Sequence, residues 1–197
     1  MQSVLLRPLP FPEQDSLRVI WKADPKSGAP FLELAYPELL DLQSGVGAFE
    51  SVAVMPTTLY GYDKVIDVAG QNPLRVESTP VSSDFFRTLG VTPVLGRDFS
   101  PRDVHAGAAS AVILSDHLWR QHFSADEAIV GEQIRLNGVG HTVIGVMGPE
   151  VEFHRGASLW VPLRIRLNRR MSYVQAIVRV RPGYTDEQVA TEVNDLL

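Results

Sequence analysis

The chain has 197 residues, of which 45% are hydrophobic and 21% charged, with a formal charge of −5; this is the balance of a folded chain of one ordinary domain or two small subdomains, not of a disordered one. The acidic excess disfavours non-specific binding to nucleic acid or anionic lipid, and the absence of cysteine excludes disulfide frameworks, cysteine-based zinc sites and cysteine nucleophiles. No apolar run approaches the ~20 residues that span a bilayer, and MQSVLL, followed by Arg7 and three prolines, is too short for the apolar core of a signal peptide. Read alone, the chain is a soluble domain; a fragment cut from a membrane protein would read the same way.

The arm VLLRPLPFPEQDSL alternates apolar residues with Pro8, Pro10 and Pro12. Proline fixes φ and removes donors, so an extended lead-in is expected. LRVIWKA (17–23) reads as a strand, YPELLDL (36–42) as a short helix with Leu39, Leu40 and Leu42 on or near one face, and FESVAVM (49–55) as a second strand. This β-α-β order predicts a crossover unit. TLYGYD, KVIDVAG and RVESTPVS read as further strands.

VSSDFFRTLGVTPVLGRDFS (81–100) carries Ser83 as the expected N-cap of a helix over DFFRTL. Phe85, Phe86 and Leu89 form its buried face. Gly90 ends it in a left-handed conformation, and Gly96 allows a second tight bend. SAVILSDHLWRQHF (110–123) is a strand and then a helix capped by Ser115, with Leu118, Trp119 and Phe123 inward. SADE (124–127) has capping-box spacing. EQIRLNGVGHTVIGVMG (132–148) is a hairpin around Asn137-Gly138, since Asn-Gly suits positive φ. LWVPL (159–163) and YVQAIVRVRPG (173–183) are strands, and Thr185 with Gln188 caps a last helix. The fold class is α+β, not a doubly wound parallel sheet.

No catalytic, cofactor-binding or metal residue is expected. The histidines are His105, His117, His122, His141 and His154, and only His117 and His122 fall on one helix. Their spacing of five turns the rings to different faces, where a zinc pair needs three or four. Ser115-Asp116-His117 has the letters of a triad, but adjacent helical residues diverge, and Ser115 reads as a cap. Gly138, Gly140, Gly145 and Gly148 lie in a hairpin without dinucleotide-loop spacing. Asp98 and Asp103 sit near turns and read as solvated. RIRLNRR (164–170) is the one basic cluster; without stacking aromatics it reads as a protected strand edge, with an interface or membrane-proximal patch as the alternative.

The ordered blocks carry a resemblance. VLLRPLPFPEQDSLRVIW resembles the segment after the first transmembrane helix of MacB-type permeases, and VSSDFFRTLGVTPVLGRDFS resembles that family's "VSxxFFxxLGVxPxLGRxF" signature. SAVILSDHLWRQHF, IVGEQIRLNGVGHTVIGVM, LWVPL and VRVRPGYTDEQVATEV are similar to the blocks that follow, in the same order. The resemblance is to the MacB-like periplasmic core domain of FtsX/MacB-type ABC permeases, within the orphan-permease group.

It implies residues 1–15 as a lead-in after a transmembrane helix. A Porter-like subdomain would be built from 16–57 and 171–197, gaining one more strand beyond Leu197, with a Sabre-like subdomain at 58–170. It further implies a bacterial inner-membrane parent with this domain on the periplasmic side, a cytoplasmic ABC ATPase, a permease dimer and a periplasmic adaptor as partners. The domain would relay force, with no cofactor, no nucleic acid and no bond chemistry. A free-standing extracytoplasmic peptide- or lipid-binding module is the alternative. An enzyme with dispersed active-site residues is a third reading.

Overall fold

The computed structural model describes residues 11–20, 34–56, 63–67, 72–105, 107–151, 157–164 and 173–196. Its elements, in chain order, begin with β1 (Leu17–Ile20), β2 (Leu34–Ala35), α1 (Tyr36–Gly45) and β3 (Phe49–Pro56). Then come β4 (Asp63–Asp67), β5 (Leu74–Val81), α2 (Phe85–Leu89), β6 (Leu95–Gly96) and β7 (Ala111–Leu114). They continue through α3 (Asp116–Phe123), β8 (Gln133–Leu136), β9 (Val139–Val146), β10 (Ala157–Pro162), β11 (Tyr173–Val180) and α4 (Asp186–Leu196). Helix and strand are mixed in the α+β manner. The chain divides into two compact units: Met1–Thr58, Asp84–Gly90 and Ile165–Leu197 form one, Leu59–Ser83 and Val91–Arg164 the other.

In the first unit β11 is the central strand. It is antiparallel to β1 (Leu17↔Arg179 through Ile20↔Ala176) and to β3 (Val174↔Pro56 through Val180↔Phe49). β1 and β3 therefore run parallel with β11 between them, so the β-α-β crossover is present but its two strands do not touch. β2 pairs with the start of β11. α1 opens with Pro37 in its first turn, and Glu38 Oε2 accepts from Ala35 N at 3.0 Å. Leu39 and Leu42 are buried, whereas Leu40 is 40% exposed. One residue is 100° of helix, and that turns Leu40 away from the face its neighbours share. α4 has the expected reciprocal cap: Gln188 N donates to Thr185 Oγ1 at 3.3 Å, and Thr185 N donates to Gln188 Oε1 at 2.8 Å.

α2 is five residues long and packs on β3 and β11. Phe85, Phe86, Thr88 and Leu89 are all buried, and the two rings meet edge to face at 5.3 Å. That burial groups residues 84–90 with the chain-end unit, although the sequence reading sets them within 58–170. The N-cap position is Asp84 rather than Ser83, and Asp84 pairs with Arg87 at 2.8 Å. Gly90 closes the helix at φ 77°, as expected. The lead-in is not extended where it is described: Glu13 sits at φ 51° and Gln14–Ser16 form a 3₁₀ turn. Residues 1–10 lie outside the described part, as do most of TLYGYD and His154.

The strands of the second unit form one sheet that closes on itself. The pairing runs β9-β7-β10-β5-β4-β8 and returns from β8 to β9, while β6 continues along the free end of β9. Ile66, Val76, Val112, Leu114, Ile134, Leu136, Val143 and Leu159 fill its interior. The hairpin turn helps the closure. Asn137 (φ 50°) and Gly138 (φ 79°) both take positive φ, as the Asn-Gly pair leads one to expect. Asn137 N donates to Val65 O at 2.9 Å, and Val65 N donates to Asn137 Oδ1 at 2.8 Å. The side-chain amide thus extends the β4–β8 ladder by one rung beyond Ile66↔Leu136.

α3 follows β7 directly. Ser115 Oγ accepts from Leu118 N at 3.1 Å, and Leu118 and Trp119 enter the core. The SADE box does not form. Ser124 instead closes α3 at φ 53°, and Asp126 caps the next 3₁₀ turn by accepting from Ala128 N at 2.9 Å. Trp119 Nε1 donates to Asp126 O at 2.9 Å, and this fixes the chain at the very point where the box would need helical backbone.

Candidate functional site

The most elaborate polar site of the first unit is built on Arg179, whose side chain is 8% exposed. Its strand, YVQAIVRV, is otherwise nearly all apolar, and the register Leu17↔Arg179 sets it beside the first residue of β1. Nε donates to Thr88 O at 3.0 Å, at the end of α2. Nη1 donates to Ser16 Oγ at 2.6 Å and to Glu13 Oε2 at 3.2 Å, and Nη2 donates to Pro12 O at 3.4 Å. One guanidinium thus ties the lead-in, the short helix and the central strand together. Arginine suits the role because its planar fork offers five donors in fixed directions. Gly90 makes the room: a Cβ there would lie 2.9 Å from Nη2. Glu13 is 82% exposed, so its ion pair contributes little beside the bonds to Thr88 and Ser16.

A second polar site lies in the other unit, in the GRDFSPRD turn. Asp103 takes Arg97 in a bidentate pair (Nη1–Oδ2 2.8 Å, Nη2–Oδ1 3.0 Å), and its Oδ2 also accepts from Ser100 N and Ser100 Oγ at 2.8 Å. Asp103 is buried rather than solvated, which corrects the sequence reading. The hydrogen bonds from Arg97 lower its pKa to about 2 against the opposing effect of burial, with Ser100 assisting. The same pairing raises the Arg97 guanidinium.

A depressed folded-state pKa contributes stability above the unfolded value and loses it as pH falls through the folded one. Asp103→Asn is therefore expected to lower stability by about 2 kcal/mol at neutral pH. The gap from the parent chain should shrink as pH drops from 3.8 to about 2. Denaturant titrations of both chains across that window check it; a gap independent of pH contradicts the pairing.

The other sequence candidates are not brought together. Ser115 is a cap, Asp116 pairs with Arg120 at 2.8 Å, and His117, His122 and His105 are exposed. His141 Nδ1 donates to Val139 O at 2.9 Å. Among the described residues no three of His, Cys, Asp and Glu are placed to hold a metal. Gly138, Gly140 and Gly145 belong to the β8–β9 hairpin. Of RIRLNRR only Arg164 lies within the described residues. No described helix is long and apolar enough to cross a membrane. Sequence reasoning passed over both Arg179 and the Arg97–Asp103 pair. The available signal for the first was a lone charge inside a β-branched run, and for the second a charge pair flanking a serine.

The comparisons agree with this architecture. The model of the MacB-like periplasmic core domain family matches residues 2–196. The macrolide export ATP-binding/permease protein MacB of Shigella dysenteriae serotype 1 is 27% identical over 171 residues, covering 83% of this chain and 25% of that protein. MacB 2 of Aeromonas hydrophila is 30% identical over 122 residues, covering 57% of this chain and 18% of its own. The chain thus spans about a quarter or less of these relatives. Among solved structures, the periplasmic region of MacB from Actinobacillus actinomycetemcomitans superposes with a TM-score of 0.70 at 16% identity, covering 98% of this chain and 86% of that one. The extracellular domain of the ABC-type transporter YknZ from Gram-positive bacteria gives 0.61 at 15% identity, covering 88% and 86%. With its fold shared by these domains and its sequence matched almost from end to end, the chain belongs to the family of MacB-like periplasmic core domains.

Proposed function

We propose that this chain is the extracytoplasmic domain of an ABC-type export permease in a bacterial inner membrane. It relays ATP-driven motion of the transmembrane helices to substrate or to a periplasmic adaptor, and does no bond chemistry itself. Its partners are a cytoplasmic ABC ATPase, acting through the full permease, and a second copy of the permease. The first unit takes the Porter-like role and the second the Sabre-like role, with residues 84–90 assigned to the first.

The observation that carries the relay reading is the Arg179 site. A relay needs its input segment joined rigidly to its body, and the lead-in at Pro12, Glu13 and Ser16 is bonded to a buried side chain of the central strand. Family membership supports the permease context.

The test is to sequence the reading frame on both sides of this chain and fractionate the parent product. Apolar runs of ~20 residues on both sides and recovery in the membrane pellet are expected. A soluble product without such runs would leave the relay without a motor and favour the free-standing binding module.

A further inference from the structure

The barrel of the second unit differs at its two ends. At the end where β7 leads into α3, Leu118 and Trp119 join the core. The strand directions gather the starts of β4, β7 and β9 and the ends of β8 and β10 at the opposite end. The inward phase changes character there. Lys64 lies two residues before the core residue Ile66, and it pairs across the ladder with the core residue Val76. His141 lies two before Val143 and opposite Ile134, and Ser110 two before Val112. Positions that are aliphatic at mid-barrel thus become an ammonium, an imidazole and a hydroxyl at this mouth.

These side chains line a cleft of about 280 Å³, with Leu136 and Val161 supplying apolar wall and Arg164 at its edge. The described residues that line it include no carboxylate. Among the described residues none forms a hydrogen bond or ion pair with the Lys64 ammonium. Arg164 Nη2 donates to the carbonyls of Ala108 (2.9 Å) and Ala109 (3.0 Å), which orient the guanidinium without neutralising it. His141 donates Nδ1–H to Val139 O, which fixes its ring beside the mouth. In a chain of net charge −5, two cations, Lys64 and Arg164, beside an apolar wall and with no carboxylate among the described lining residues form a place for negative charge.

We propose that this barrel mouth is a binding site for the oxyanion group, carboxylate or phosphate, of a small amphiphilic molecule. Lys64 and Arg164 face the anion, Ser110 donates to it, and the His141 ring lies beside them. The molecule's apolar part lies against Leu136 and Val161. The proposal stands independently of the relay reading.

The test is an NMR titration of the isotope-labelled 197-residue chain with sodium octanoate and, separately, with inorganic phosphate. It follows the His141 ring and the amides of Ser110 and Asn137. Saturable shifts confined to this mouth are expected with at least one of the two. Octanoate alone would assign a carboxylate, phosphate alone a phosphate group. Because no described residue pairs with Lys64, Lys64→Gln should keep the amide spectrum and thermal midpoint of the parent while weakening binding about tenfold. Lys64→Glu should abolish it. Shifts that never saturate with either probe, or an affinity unchanged in Lys64→Gln, would overturn the proposal.

Discussion

Arg179→Met is expected to lower the stability of the 197-residue chain by about 3 kcal/mol. Methionine keeps the apolar stem and removes every donor. Thr88 O and Ser16 Oγ then lose charge-assisted bonds of 3.0 and 2.6 Å. The lead-in at Pro12–Ser16 should loosen with it, seen as faster amide exchange at Ser16. Arg179→Lys should recover only part of the loss, since one ammonium cannot reach acceptors spread around a fork. Glu13→Gln should change stability by only about 0.5 kcal/mol, because Glu13 is largely exposed. Equal midpoints for Arg179→Met and the parent chain in guanidinium would show that these bonds hold nothing.

Gly96→Ala should be the most damaging glycine change, at about 3 kcal/mol or more. Gly96 has φ 73°, and a Cβ on it would run into Ile144 O and stand 2.9 Å from Gly145 Cα. The glycines face each other across the β6–β9 ladder (Gly96↔Gly145), and Gly145 is equally crowded, with a would-be Cβ 2.6 Å from Arg97 O. Two backbones this close leave no side chain to shift, so the ladder itself must open. Gly107→Ala is the control: φ is 89° there, but nothing lies within 4 Å. It should cost about 1 kcal/mol from backbone strain alone. Thermal midpoints of the two variants separate contact from strain, and equal drops would contradict the close approach.

Local punctuation was readable from sequence because its physics is local. Ser115, the Thr185–Gln188 pair, Asn137-Gly138 and Gly90 each act within four residues, and each does what its residue type implies. Where local reading failed, tertiary packing decided. Ser124 was displaced from its capping role by the Trp119–Asp126 bond, and residues 84–90 moved to the unit where Phe85 and Phe86 could be buried. The two polar sites were hidden for a related reason. Arg179 meets Ser16 and Glu13 across separations of 163 and 166 residues, which no spacing rule spans. The Arg97–Asp103 pair is near in sequence, but its burial depends on how the turn folds over it. Closure of the barrel between β4 and β8 rests, among the described residues, on two residue pairs, with Asn137 adding the third rung through its side chain. The ordered series of motif blocks, by contrast, identified the family directly.

The relay itself is tested most directly by spin-label distances in the full permease. The chain has no cysteine of its own, so Leu40→Cys on the exposed face of α1 gives one label per copy once cysteines elsewhere in the parent are replaced. With the permease and its ATPase in lipid vesicles, the label-to-label distance between two copies should shift between the nucleotide-free and ATP-trapped states. The shift should weaken in Arg179→Met. A single distance distribution, the same in both states, would contradict a domain that moves with ATP.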